Sequence, residues 1–292
     1  MNILTFDIEE WYLEKAYHGG RQERYSLFDN SLNFILDSLE KEDIKATFFC
    51  LGQMAVHFPE VIKKIASKGH EIGCHSNHHI WLNKLSREEV IEDTKEAIDA
   101  LEQCFGNKIF GYRAPAFSIQ QENQYIFEIL SKCGIKYDAS IFPASRAIGG
   151  FPTFPSDKPC IVHLGDVTIK EFPISISQII FKNIAYSGGG YFRLLPYWLI
   201  KSRMSKSDYN MCYFHINDLL NEKKKIQSRE QYENYYRSKG TLIERYKRYY
   251  KGNIGKHHIQ EKYNQLLNDH QFISMKEAIN ILDWQQVPIV QL

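Results

Sequence analysis

Short apolar runs alternate with longer amphipathic stretches through the first half of the chain. Ile3-Leu4-Thr5-Phe6 has the length and composition of a buried strand. Residues 31–40 place Leu32, Ile35, Leu36 and Leu39 at helical spacing, one apolar stripe on an otherwise polar segment. Ala46-Thr47-Phe48-Phe49-Cys50-Leu51 predicts a second strand, and Pro59 to Lys68 a helix with Gly69 as its C′ residue. Glu71 to Cys74 predicts a third strand. Ser86-Arg87-Glu88-Glu89 offers an N-cap and a capping-box acid for a helix reaching about Cys104. A short strand at Gly111-Tyr112-Arg113, a helix over Asn123–Cys133 and extended chain over Ile135–Ser140 continue the alternation. Strands alternating with helices imply parallel β/α units, whose functional residues gather where strands end and loops begin.

The pattern loosens after Phe142. Residues 143–195 hold Pro143, Pro152, Pro155, Pro159, Pro173 and the run Gly188-Gly189-Gly190, which predict loops and extended segments. Tyr209 to Phe214 returns as a strand ending at His215. From Asn221 to about Lys262 the chain turns basic and tyrosine-rich, as in Lys223-Lys224-Lys225, Tyr235-Tyr236-Arg237 and Tyr246-Lys247-Arg248-Tyr249-Tyr250-Lys251. Two readings stay open there: a solvated helical face whose tyrosines pack down, or a surface that meets an anionic group such as a phosphate or an acidic glycan. Met275 to Asp283 predicts a last helix.

With 292 residues, 43% of them hydrophobic, the chain can bury a large core, and a net charge of +1 gives no global field for nucleic acid. The six cysteines (Cys50, Cys74, Cys104, Cys133, Cys160, Cys212) are dispersed, without a C-x-x-C pair, and several sit in apolar runs. Free thiols in a reducing compartment are expected. The N-terminus shows no basic segment followed by a long apolar one, and no window is apolar enough to span a membrane, so a cytoplasmic location is expected.

The chemistry-bearing stretch is Gly69-His70-Glu71-Ile72-Gly73-Cys74-His75-Ser76-Asn77-His78-His79. His75 and His79 stand four apart, the spacing that sets two imidazoles on one face of a helical turn, where they can grip one divalent cation. Two histidines leave the shell incomplete. The acids of Thr5-Phe6-Asp7-Ile8-Glu9-Glu10 are candidates to finish it, and a His, His, carboxylate set keeps positions open for water and substrate. Asp7 and Glu9, two apart on a strand, fall on the same side.

Five motifs in this order, across residues 5 to 215, resemble the NodB-homology polysaccharide deacetylase family, carbohydrate esterase family four: Thr5-Phe6-Asp7-Ile8-Glu9, His75-Ser76-Asn77-His78-His79, Arg113-Ala114-Pro115, Asp138-Ala139-Ser140 and Tyr213-Phe214-His215. Gly188-Gly189-Gly190-Tyr191-Phe192-Arg193 and the helical tail look like the extension of a bacterial subgroup linked to surface-polysaccharide synthesis. The resemblance implies an α/β fold, a distorted (β/α) barrel over residues 1–220 with a helical extension over 221–292 packed on it. It implies Asp7 as general base and Glu9, with Glu10 as the fallback, joining His75 and His79 as metal ligands. Arg113 pairs with the base, and a guanidinium there would hold its orientation and favour its ionised form. Asp138 orients His215, the general acid, while His78 faces away and Ser76 braces the loop. This chain departs from the family in separating its opening acids by Ile8, and from the subgroup in following His215 with Ile216 and Asn217 rather than proline and tryptophan.

The implied reaction is metal-dependent hydrolysis of the N-acetyl group of an amino sugar in a glycan or glycan precursor. Zn²⁺ is the default ion, and Co²⁺, Ni²⁺ or Fe²⁺ suit the same N/O ligands. Trp11, Tyr12 and Trp81 are expected to stack on sugar faces, with Pro115 as a further substrate contact. Removal of a formyl group on the same scaffold, or a silent carbohydrate-binding relative, are the rival readings.

Overall fold

The computed structural model describes residues 1–13, 21–146, 149–179, 182–220, 225–236 and 238–292. Its strands are β1 (Asn2–Ile8), β2 (Thr47–Cys50), β3 (Glu71–Cys74), β4 (Gly111–Tyr112), β5 (Tyr137–Asp138), β6 (Cys160–Leu164), β7 (Val167–Glu171), β8 (Ser177–Ile179), β9 (Lys182–Ile184), β10 (Asn210–His215) and β11 (Ile289–Gln291). Nine of them form one sheet in the order β10-β1-β2-β3-β4-β5-β7-β6-β11, and β8 pairs with β9 apart from it. From β10 to β7 every neighbouring pair is parallel. Among the described residues no ladder joins β10 to β11, so the β/α barrel is distorted and open.

Parallel strands are covered on both faces, which explains why β1 is buried without interruption from Ile3 to Ile8. Phe6 stacks on Phe48 of β2 with ring centroids 4.7 Å apart. Tyr263, from the helix Ile259–Asp269, meets Phe6 and Phe214 edge-on at 6.4 and 5.8 Å, so the late part of the chain completes the core over the first strand. The helix Pro59–Ser67 begins with proline in its first turn and buries Val61, Ile62 and Ile65. Gly69 follows it with φ +79°, a left-handed conformation that glycine reaches without a Cβ clash. The helix Arg87–Phe105 carries the expected capping box: Ser86 Oγ accepts from Glu89 N, and the Glu89 carboxylate accepts from Ser86 N.

Several expectations shift. The strand read as Gly111–Arg113 stops at Tyr112, and the helix read as Asn123–Cys133 is a 3₁₀ turn followed by Ile126–Lys132. Residues 143–195 are more regular than their prolines suggest. β6 and β7 form an antiparallel hairpin that extends the main sheet, and Gly189–Leu194 is a short helix. The prolines lie in the turns around these strands, where no ladder hydrogen bond is needed. In the basic region, Lys223, Lys224 and Arg237 lie outside the described residues. The helix Leu242–Asn253 has no buried residue, so Tyr246 and Tyr250 do not pack down as the first reading expected. The six cysteines are free thiols.

Candidate active site

Parallel register sets the site. Asp7 on β1 lies opposite His215 at the end of β10 and opposite Phe49 on β2, while β3 and β4 end at the same edge of the sheet, just before His75 and Arg113. The four strands therefore deliver Asp7, Glu9, His75, Arg113 and His215 to one end of the sheet, as expected for β/α units.

Glu9 Oε2 lies 2.6 Å from His79 Nε2 and 3.4 Å from His75 Nε2. The three ligand atoms fall within 4.8 Å of one another. Among the described residues no hydrogen-bond donor is aligned with the buried Glu9 Oε2. His75 Nδ1 lies 2.7 Å from the Arg113 carbonyl oxygen. A carbonyl only accepts, so the ring proton sits on Nδ1 and the Nε2 lone pair faces Glu9. A carboxylate and two imidazole nitrogens converging in this way, one tautomer fixed by backbone, fit a divalent cation.

The histidine loop is not helical, contrary to the turn its spacing suggested. Ser76 (φ 69°) and His79 (φ 61°) adopt left-handed backbone, and that folding of the loop, rather than a helical face, brings His79 back toward His75. Ser76 Oγ accepts from His79 N at 3.1 Å. Asp93 accepts from Asn77 N at 2.9 Å and His78 N at 3.3 Å. Gly52 permits the close approach of the neighbouring helix, since a Cβ there would stand 2.5 Å from Asn77 Oδ1 and 2.6 Å from Ala97 Cα. His78 is exposed and its Nδ1 meets the Tyr12 hydroxyl at 3.1 Å.

Burial works against a charge on Glu9, but His79 and His215 outweigh it and hold the carboxyl well below its usual range. Glu10 behaves oppositely. Burial and the adjacent Glu9 push it up to about 8, and its Oε1 accepts from Asn217 N at 2.9 Å. Glu10 thus braces the chain after His215, and the structure groups Glu9 rather than Glu10 with the histidines.

Arg113 is fully buried. Its Nη1 donates to Asp7 Oδ1 at 2.9 Å and Thr5 Oγ1 at 2.8 Å, its Nε donates to the Ala139 carbonyl at 3.2 Å, and the guanidinium lies over the Phe49 ring at 4.3 Å. His215 Nε2 stands 3.8 Å from Asp7 Oδ2 and 3.7 Å from Glu9 Oε1. Burial disfavours the imidazolium, yet Glu9, Asp218 and Asp7 outweigh that and raise the His215 pKa well above its ordinary value.

The partner of His215 differs from expectation. Its Nδ1 faces Asp218 Oδ2 at 3.1 Å, whereas Asp138 bonds to Ser140 through Oδ1 at 2.6 Å and Oδ2 at 3.0 Å. Asp138 stands two strands beyond β3, across the sheet from β10, and acts on the other side of the site: Ser140 Oγ accepts from Ala114 N at 2.7 Å and so fixes the loop that carries Arg113. Burial raises both Asp138 and its neighbour Glu171 on β7, Glu171 well above its usual range. Asp218 left a signal in the sequence, three residues after His215, the spacing of a capping box, which it forms. Asp93 and Glu171 gave none, being joined to the site only by the fold.

Two expected sugar contacts also move. Trp11 is 0% exposed with its ring 5.3 Å from Phe28, so it presents no face to a ligand. Pro115 is buried at the start of a 3₁₀ turn, where its fixed φ shapes the chain after Arg113. Tyr12 and Trp81 are half-buried.

Residues 3–137 match the polysaccharide deacetylase family profile, and residues 139–280 match a domain of unknown function, DUF3473. The chain is 40% identical over 83 residues to a peptidoglycan-N-acetylglucosamine deacetylase of Bacillus cereus, a stretch covering 28% of each protein. It is 40% identical over 90 residues to the peptidoglycan-N-acetylmuramic acid deacetylase PdaC of Bacillus subtilis, covering 31% of this chain and 19% of that one. The likeness therefore spans under a third of either relative. A crystal structure of a Mycobacterium smegmatis protein assigned as a polysaccharide deacetylase superposes with a TM-score of 0.65 at 19% identity, covering 100% of this chain and 92% of that one. That agreement is one of fold.

Proposed function

We propose that the protein removes the N-acetyl group from an amino sugar of a glycan or glycan precursor, releasing acetate, a reading supported by the match of residues 3–137 to the polysaccharide deacetylase family profile. The observation that carries this reading is the convergence of Glu9, His75 and His79 beside Asp7 and His215. Glu9, His75 and His79 would hold a divalent cation, with Zn²⁺ the default for these ligands and Co²⁺, Ni²⁺ or Fe²⁺ the alternatives. When bound, that ion supplies a Lewis acid to polarise the amide carbonyl and to acidify a water.

The chain's own groups divide the proton work. Arg113 holds Asp7 Oδ1, leaving Oδ2, on the side facing His215, to take a proton as water adds to the carbonyl carbon. His215, its Nδ1 turned to Asp218, directs Nε2 into the cluster and protonates the amide nitrogen as the carbon–nitrogen bond breaks. Acetate and a free amine leave. Tyr12 and Trp81, both half-buried, are the proposed sugar contacts. The test is release of acetate from N-acetylated oligosaccharides and nucleotide sugars: turnover is expected with added divalent metal and is abolished by a chelator. Formate release in its place would support the deformylase reading, and a protein that binds glycans without turnover or metal would overturn the enzyme.

Asp218→Asn is expected to lower kcat by about tenfold or more, with KM and bound metal little changed, since it removes the group that sets the tautomer and orientation of His215. An unchanged kcat would return that role to another residue.

A further inference from the structure

The helix Leu242–Asn253 has no fully buried residue, and its apolar arc is exposed. Leu242, Ile243, Tyr246 and Tyr250 share one arc at helical spacing and are exposed by 59, 67, 51 and 67%. The rest of the circumference holds Arg245, Lys247, Arg248 and Lys251 against a single acid, Glu244. Lys247 borders the apolar arc on one side, where a long basic side chain can reach along it while keeping its charge in water. On the other side stand the half-buried Tyr249 and Arg245, whose Nη1 donates to the Gln227 carbonyl at 3.1 Å. At about 18 Å, from ~1.5 Å per residue, the helix is far too short to span a bilayer. No helix among the described residues is long and apolar enough to do so.

We infer that this helix lies on an anionic lipid surface, its apolar arc in the headgroup boundary and its basic side chains on the lipid phosphates. Charge complementarity selects that occupant: the flanks are basic, and tyrosine suits a boundary where one end of the ring is apolar and the other wet. A second copy of this chain would set like charges, the exposed Lys247 and Lys251 among them, against each other.

The helix is tied to the acid of the site. Arg193 Nη2 donates to the Lys251 carbonyl at 2.8 Å and Nε to the Ile254 carbonyl at 2.9 Å, while Nη1 faces Asp218 Oδ1 at 3.5 Å. Asp218 in turn holds His215. Leu194 and Ile254, exposed by 45 and 39%, stand on the two segments that Arg193 joins. Docking through this helix would bring the proposed deacetylase centre close to the membrane plane, which favours glycan chains held at that surface as its substrate class.

The test is flotation of the full chain with vesicles of phosphatidylcholine alone and of phosphatidylcholine mixed with phosphatidylglycerol, read by binding and so independent of the catalytic reading. The chain is expected to float with the anionic vesicles only. The double variant Lys247→Glu/Lys251→Glu is expected to weaken partitioning on the order of tenfold or more at low salt. Ile243→Ser/Tyr246→Ser should weaken it at low and high salt alike, because it removes buried apolar area rather than charge. All four positions are exposed, and a thermal melt matching the parent confirms that each variant folds. Equal flotation with neutral vesicles, no flotation, or a dimer that these substitutions dissolve would each overturn the inference.

Discussion

Replacing Asp7 with Asn is expected to cut acetate release by about 10²–10⁴-fold while the protein keeps its metal, the usual worth of a general base. The substitution preserves shape and an oxygen that can accept from Arg113, but an amide cannot take a proton from water. Asp7 is suited to that task by position: one carboxylate oxygen is fixed by a buried guanidinium at 2.9 Å, and the other lies 3.8 Å from His215 Nε2. The measurement is turnover alongside metal content and melting temperature. Full turnover in a metal-loaded Asp7→Asn protein would remove Asp7 from the mechanism. Loss of the ion together with activity would instead place Asp7 among its ligands.

Arg113→Met should be the most damaging change to the fold, costing about 3–5 kcal/mol, because it leaves the carboxylate of Asp7 buried without its partner. The side chain is enclosed between Phe49 and the ends of β1 and β4, with Thr5, Asp7 and the Ala139 carbonyl all accepting from it. The pair Arg113→Met/Asp7→Asn removes both charges and is expected to be more stable than Arg113→Met alone, a coupling that a double-mutant cycle by denaturant unfolding reads directly. If the double variant is no more stable, the destabilisation comes from lost packing over Phe49 and not from the orphaned charge.

Most elements of the first 140 residues were legible because they announce themselves locally, although the helix read over residues 31–40 runs from Arg21 to Lys41 and the short helix Gly52–His57 went unread. Buried parallel strands are continuous apolar runs, and the helices between them carry stripes, a capping box at Ser86 and a stop at Gly69. The hairpin of β6 and β7 was hidden because prolines crowd its flanks, and β11 because three residues at the edge of a sheet carry too little pattern. Within the site, the residue types and their order pointed to the cluster of Glu9, His75 and His79, but not to how the loop closes. Left-handed backbone at Ser76 and His79 has no side-chain signature. The partner of His215 went astray for a different reason: Asp138 answered to family order, whereas Asp218 answers to distance along a single turn. Trp11 illustrates the limit of composition, since an aromatic beside a site can as well be its foundation.

Parallel pairing of β1 with β10 has a cost in time. The opening strand must wait for a partner some two hundred residues downstream, from Asn2 opposite Asn210 to Asp7 opposite His215. On a ribosome adding roughly 5–20 residues per second, that interval is about 10–40 s. Throughout it, one margin of the first strand, rich in Ile3, Leu4, Phe6 and Ile8, has no neighbour, the situation in which nascent chains pair with one another instead. Glu9, His75 and His79 can assemble early, whereas His215 reaches them only when β10 seals that margin, so a newborn chain completes its proposed site at the moment it ceases to be sticky.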